Sequence, residues 1–172
     1  MKRREFLRWS AIAGATVAIR PSFAWAYAQS PRNLRKFIQP LPGLGPEGIP
    51  VTSPDTTTTP GVDTYRLVAG EFEQSFHPDL MPSRLWGYAD VTAGQAPNHR
   101  YLGGVIVAQK NRPVHLIMKN RLPSRHPLPV DTTIMGADGA ANRMTVHFHG
   151  GLVPWTSDGG PFSWFTPAER TG

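Results

Sequence analysis

Two histidines one residue apart, His147 and His149, lie in the segment Thr145-Val146-His147-Phe148-His149-Gly150. In an extended strand, residues i and i+2 share a face. The two imidazoles would then stand side by side, with Cα atoms about 7 Å apart. That spacing suits two metals a few ångströms apart better than one metal chelated by both rings. Neutral imidazole is a good ligand for copper or zinc. Gly150 lets the chain turn sharply directly after the pair. A half-buried strand carrying two hydrogen-bonded histidines would show the same spacing, so spacing alone leaves both readings open.

Other chemistry-bearing residues are less organised. Asp158 precedes Gly159-Gly160 and reads as a turn aspartate bonding its own backbone. His77 precedes Pro78 at a strand end, His99 and His126 fall in loops, and His115 alternates with apolar residues on a strand. These four read as structural or solvent-facing. Trp155, Trp164 and Phe165 read as packing residues around the histidine pair rather than redox relays. The chain has no cysteine. It therefore has no disulfide, no thiolate nucleophile and no soft copper site of the kind that needs a Cys ligand. No Ser-His-Asp arrangement, phosphate-cradling glycine loop or pair of catalytic carboxylates stands out.

The elements that must position the pair read as short strands. Tyr65, Leu67 and Ala69 alternate with Arg66, Val68 and Gly70, which predicts a half-buried strand from Thr64 that ends at His77-Pro78-Asp79. Arg84–Tyr88 predicts a second strand, Val105–Gln109 a third, Pro113–Lys119 a fourth and Met144–His149 a fifth. A loop from Ser124 to Asn142 separates the last two, and the chain after Gly150 is Gly-, Pro- and Trp-rich. No helix of useful length and no internal repeat is evident. Five short strands with turn signals between them point to an all-β sandwich or barrel. Such a sheet needs partner strands to close its core and cover its edges.

Composition agrees. In 172 residues, enough for one ordinary domain, there are 18 prolines and 17 glycines. That exceeds the roughly 12% that the two contribute on average. Residues 29–61 are the richest in Pro, Gly and Thr and predict an extended arm wrapping a later domain, or a linker. The net charge is +6, but Lys2, Arg3, Arg4, Arg8 and Arg20 against Glu5 concentrate most of it in the first 28 residues. No basic stripe remains beyond them, so no nucleic-acid partner is expected.

Those first residues read as an address. Lys2-Arg3-Arg4-Glu5-Phe6-Leu7-Arg8 resembles the twin-arginine export motif. A modest apolar stretch follows from Trp9 to Ile19, and Ala26-Tyr27-Ala28 offers small-x-small cleavage geometry, with Ala24-Trp25-Ala26 as a second option. The apolar run is too short and too rich in Ala, Gly and Ser for a stable membrane span. The expectation is a signal peptide over residues 1–28, passage through the twin-arginine translocase, and a periplasmic or extracellular destination.

Directly after the histidine pair come Gly151-Leu152-Val153-Pro154-Trp155-Thr156-Ser157-Asp158-Gly159-Gly160-Pro161-Phe162-Ser163-Trp164-Phe165. The combined run resembles the multicopper oxidases, particularly the three-domain bacterial type related to spore-coat laccases and bilirubin oxidases. Those carry a His-x-His-Gly-Gly segment and then a Ser-Asp-Gly-x-Pro-x-x-Trp loop. Lys36–Pro42, His77-Pro78-Asp79-Leu80, Leu85-Trp86-Gly87-Tyr88, Asn120-Arg121-Leu122-Pro123 and His126–Asp131 look like the same subgroup. The resemblance covers residues 36 to 167. It departs at Tyr101-Leu102-Gly103-Gly104, where a Pro-Gly-Pro-like turn is usual.

The resemblance implies a cupredoxin-like Greek-key β-sandwich over residues 62–172, incomplete at its C-terminus. It implies that His147 binds type 2 copper and His149 a type 3 copper of a trinuclear centre. It matches Asp158 to an acid that assists proton delivery during oxygen reduction, beside the turn reading above. The partners implied are oxygen and an electron-donating small molecule or metal ion. The family's centre uses eight histidines from four segments, with a cysteine at the electron-entry copper. Two of those histidines and no cysteine are present. The expectation is the N-terminal portion of a longer exported oxidase, inactive by itself. Two further readings are a cupredoxin-like binding or structural module without catalysis, and a small copper chaperone.

Overall fold

Asp63–Gln74 forms the longest strand, β1, and it organises everything around it. Thr64, Tyr65 and Val68 are residues that favour a pleated surface. β2 is Ser83–Asp90 and β3 is Val114–Asn120. They flank β1 in a three-stranded mixed sheet of order β2-β1-β3. β2 runs antiparallel to β1 from Leu67↔Asp90 to Gln74↔Ser83, and β3 runs parallel from Asp63↔Val114 to Ala69↔Asn120. The structure is a computed structural model that describes residues 34–171, so the expected signal peptide lies outside the described residues. The chain divides into Met1–Lys36 and Phe37–Gly172, and all three strands belong to the second unit. Among the described residues the architecture is all-β and fits a cupredoxin-like sandwich. Its one helical turn is the 3₁₀ segment Trp155–Ser157.

The first half of β1 departs from the expected half-buried alternation. Asp63, Thr64, Tyr65, Val68, Ala69 and Gly70 are all buried, because β1 is central and its ladder continues past the end of β2. At Thr64 it exchanges both backbone hydrogen bonds with Asp55 of the preceding segment. Between them, Arg66 N–H donates to Thr92 Oγ1, at 2.9 Å. Asp55 also accepts from Arg66 Nη1 at 3.0 Å and from the amides and hydroxyls of Thr57 and Thr58. Further back, the Thr52 amide and hydroxyl both donate to Val105 O, and Val105 N–H donates to Pro50 O.

The loop after β2 lies across one face of β1. His99 stacks on Phe72 with centroids 6.0 Å apart, and Tyr101 meets Phe76 edge-on at 5.0 Å. The approach is possible because Gly70 pairs with Gly87 across the strands. A Cβ on Gly70 would stand 2.5 Å from His99 Nε2, and one on Gly87 would stand 2.8 Å from the Phe72 ring. On the other face Trp86 Nε1 donates to Glu71 Oε2, and His126 packs edge-on against Trp86.

Two expected strands are not strands. Val105–Gln109 is reduced to a single bridge, Val105 with Val51, because Gly104 enters it at φ 143° and Gln109 to Arg112 turn immediately after. Met144–His149 is reduced to a bridge between Met144 and Phe165. Beyond Met144 the chain bends, with Gly151 N–H donating to Phe148 O at 2.9 Å and Gly150 at φ 75°. Val105–Gln109 is a short apolar run and Met144–His149 alternates, but neither has a neighbour to complete a ladder.

Candidate metal centre

The segment that carries the histidines leaves the Met144–Phe165 bridge and returns to it. Met144 N–H donates to Phe165 O at 3.0 Å, and Phe165 N–H donates to Met144 O at 2.9 Å. Arg143 lies over the Trp164 ring at 5.9 Å and tightens the same stem. Three residues past Met144, the rings of His147 and His149 stand edge to face with centroids 5.7 Å apart. The structure thus keeps the two imidazoles together without a regular strand beneath them.

Asp158 reaches the pair from the far side of the loop. The turn Trp155–Ser157 delivers it in a helical conformation, φ −85° and ψ −2°. Gly159 comes next at φ 75° and lies so close to Val146 that a Cβ would overlap the Val146 carbonyl oxygen. Only glycine tolerates both the left-handed backbone and that contact. The result is a contact between His147 Nδ1 and the Asp158 carbonyl oxygen at 2.6 Å, with the Asp158 carboxylate Oδ1 at 3.2 Å from the same nitrogen. A carbonyl oxygen only accepts, so Nδ1 carries the proton. Nε2 of His147 then keeps its lone pair free for a metal. This is the arrangement by which a backbone or carboxylate oxygen fixes the tautomer of a ligating histidine. The His147 and Asp158 side chains are 47% and 50% exposed, so a ligand can reach them from solvent.

Asp158 therefore reaches His147 through its main chain as well as its carboxylate, a relation that sequence reasoning missed. The glycine after Asp158 was the available signal. Trp164 and Phe165 are partly buried beside the stem. Trp155 differs from its expected packing role: it is 87% exposed, because it sits at the outer edge of the 3₁₀ turn. The other histidines stay apart from the pair. His77 Nδ1 accepts from Asp79 N–H in the turn after β1, His126 Nδ1 accepts from Leu128 N–H, and His115 is exposed on β3. Among the described residues no group of three or more His, Asp or Glu is placed to hold a metal ion. The two imidazole nitrogens of His147 and His149 are of the donor type that copper or zinc takes.

Comparisons with known proteins identify the class. The chain is 35% identical to a laccase of Bacillus subtilis over 145 residues, which is 81% of this chain and 25% of that protein. It is 32% identical to a laccase of Haloferax volcanii over 181 residues, 99% of this chain and 28% of that one. It is 35% identical to multicopper oxidase LPR1 homolog 1 of Oryza sativa over 105 residues, 59% of this chain and 17% of that one. No family model matches. The chain belongs to the multicopper oxidase family. It spans about a quarter of the length of the laccases it matches.

Proposed function

We propose that this chain supplies the first two histidine ligands of a trinuclear copper centre in an exported multicopper oxidase. In this reading His147 binds the type 2 copper through Nε2 and His149 binds a type 3 copper. The observation that supports it is the ring pair itself, with His147 Nδ1 held by Asp158. When bound, the copper centre would supply stepwise electron transfer to oxygen, yielding water. The protein's part is to hold the two imidazoles side by side and to fix the His147 tautomer. The Asp158 carboxylate, half exposed and 3.2 Å from Nδ1, can hold a proton at the edge of the site. The electron donor is a small molecule or a metal ion. The remaining ligands and the electron-entry copper would come from further chain.

The basic, apolar and small segments of residues 1–28 support export through the twin-arginine translocase to the periplasm or beyond. Among the described residues no helix is long and apolar enough to cross a membrane.

Titration of the chain with copper(II), monitored by electron paramagnetic resonance, tests the reading. A weak site with imidazole nitrogen coupling is expected, lost in both His147→Ala and His149→Ala. A copper signal unchanged in both variants would leave a cupredoxin-like module without catalysis as the better reading. With copper added, the chain is expected to turn over no phenolic dye, and measurable turnover contradicts the assignment of only part of the centre to it.

A further inference from the structure

Asn120 closes β3 and is 8% exposed. Its side-chain amide is fully used. Nδ2 donates to Asn142 O at 2.8 Å and to Phe165 O at 3.0 Å, while Oδ1 accepts from Leu122 N–H at 2.9 Å. Two carbonyls need donors and one N–H needs an acceptor, so the partners leave a single orientation for the amide. Asn142 answers by donating from Nδ2 to Leu122 O at 3.2 Å. The two asparagines therefore form a closed clasp between the end of β3 and the stem of the histidine loop. Asn142 lies two residues before Met144, and Phe165 O accepts from both Asn120 and Met144 N–H. Asn120 is itself anchored, since it pairs with Ala69 of β1 and the next amide, Arg121 N–H, donates to Ala69 O.

We infer that Asn120 is a positioning residue for the His147–His149 centre. Its amide ties both ends of the loop, at Asn142 and at Phe165, to the rigid sheet. The loop between them carries His147, His149 and Asp158, and contact between its two arms sets the His147–Asp158 hydrogen bond. Asn120 touches neither imidazole and acts through the backbone of the stem. The functional meaning of this role rests on the copper reading above, but its structural content does not.

The test uses the full chain and Asn120→Asp. That variant keeps the size and the acceptor for Leu122 N–H, but turns a carboxylate oxygen toward two carbonyls. Hydrogen exchange at the Met144 and Phe165 amides is expected to accelerate about tenfold or more. The His147 imidazole nitrogen resonances, which read the contact with Asp158, are expected to move. Thr52→Val, which removes the remote hydrogen bond to Val105 O, is the control. It is expected to speed exchange at Thr52 and Val105 and to leave the His147 resonances in place. If Asn120→Asp fails to fold, Asn142→Ala removes only the donation to Leu122 O and should give the same local pattern with an effect of about threefold. Unchanged exchange and resonances in the variant that folds overturn the inference. So does an equal response to Thr52→Val, which would mean general destabilisation. Copper(II) titration of the wild-type chain is read separately: no imidazole-bound copper overturns the metal reading and leaves the clasp to be judged by exchange and resonance alone.

Discussion

At the scale of residues, the site depends on a backbone approach that only Gly159 permits. Gly159, next to Asp158 on one arm, sits at φ 75° against the carbonyl of Val146, next to His147 on the other. Gly159→Ala adds a methyl to a left-handed backbone and drives it into a main-chain oxygen. Neither neighbour can yield as a side chain could. The cost is expected to be on the order of 2–4 kcal/mol. The loop would relieve it by separating its arms, which moves the Asp158 carbonyl away from His147 Nδ1. Thermal melting should show the loss of stability, and the His147 imidazole should lose its single tautomer by nitrogen NMR. A variant that melts like the wild type and keeps one tautomer would show that the close approach does not set the site. The two histidine rings do stand together, but on a bent segment rather than on the strand from which their spacing was read. The Asp158 contact was not legible, because it joins a main-chain oxygen to a ring eleven residues away, and sequence spacing carries no information on loop closure.

At the scale of elements, the three strands of the sheet were legible because their alternation coincides with real ladder partners. β1, β2 and β3 match expected segments to within a few residues. Val105–Gln109, a continuous apolar run, and Met144–His149, which alternates, hold one bridge each, since pattern does not reveal whether a neighbouring strand exists. The loop across Gly70 and Gly87 was equally hidden, and it has a consequence for pH. Burial pushes the His99 imidazole below its ordinary value, partly offset by a hydrogen bond with the Val68 backbone. Its Nε2 is buried without a partner. Above the unfolded value of about 6.5, His99 is neutral in both states and contributes no pH dependence. As the pH falls through that value the unfolded chain takes up a proton that the folded chain resists, so stability declines with acidification. Melting temperature is therefore expected to fall between pH 7 and pH 5.5, and His99→Gln should fall less over the same range. Parallel declines in the two proteins would remove His99 as the cause. Asp55 works in the same sense but at lower pH, in the carboxylate range. Its bonds to Thr58 and Thr57 hold the carboxyl well below the usual range, so the anchor it provides to Arg66 persists through this window.

At the scale of the whole molecule, the balance between core and surface is unusual. Among the described residues the buried apolar ones are Tyr65, Val68, Ala69, Ala89 and Leu122, and two of these are alanines. Against them stand Phe148, Leu152, Trp155 and Phe162, between 69% and 105% exposed on the loop that carries the histidines. Single exposed apolar residues are ordinary, whereas several large ones on one loop beside a site are a feature of that loop. The clasp at Asn120 holds the histidine loop from the sheet side, and the loop's large apolar residues stay exposed. A sheet with so small a core should be marginal when studied alone. The isolated chain is expected to bind a hydrophobic dye such as anilinonaphthalene sulfonate and to melt broadly, below the roughly 45–65 °C usual for mesophilic domains. Removing apolar surface from the loop should suppress dye binding, so Leu152→Ser with Phe162→Ser is expected to lower the dye signal while leaving the β1 amides as protected as before. A sharp transition above that range, with no dye bound, would show that the sheet and its arm are sufficient and that the apolar loop needs no cover.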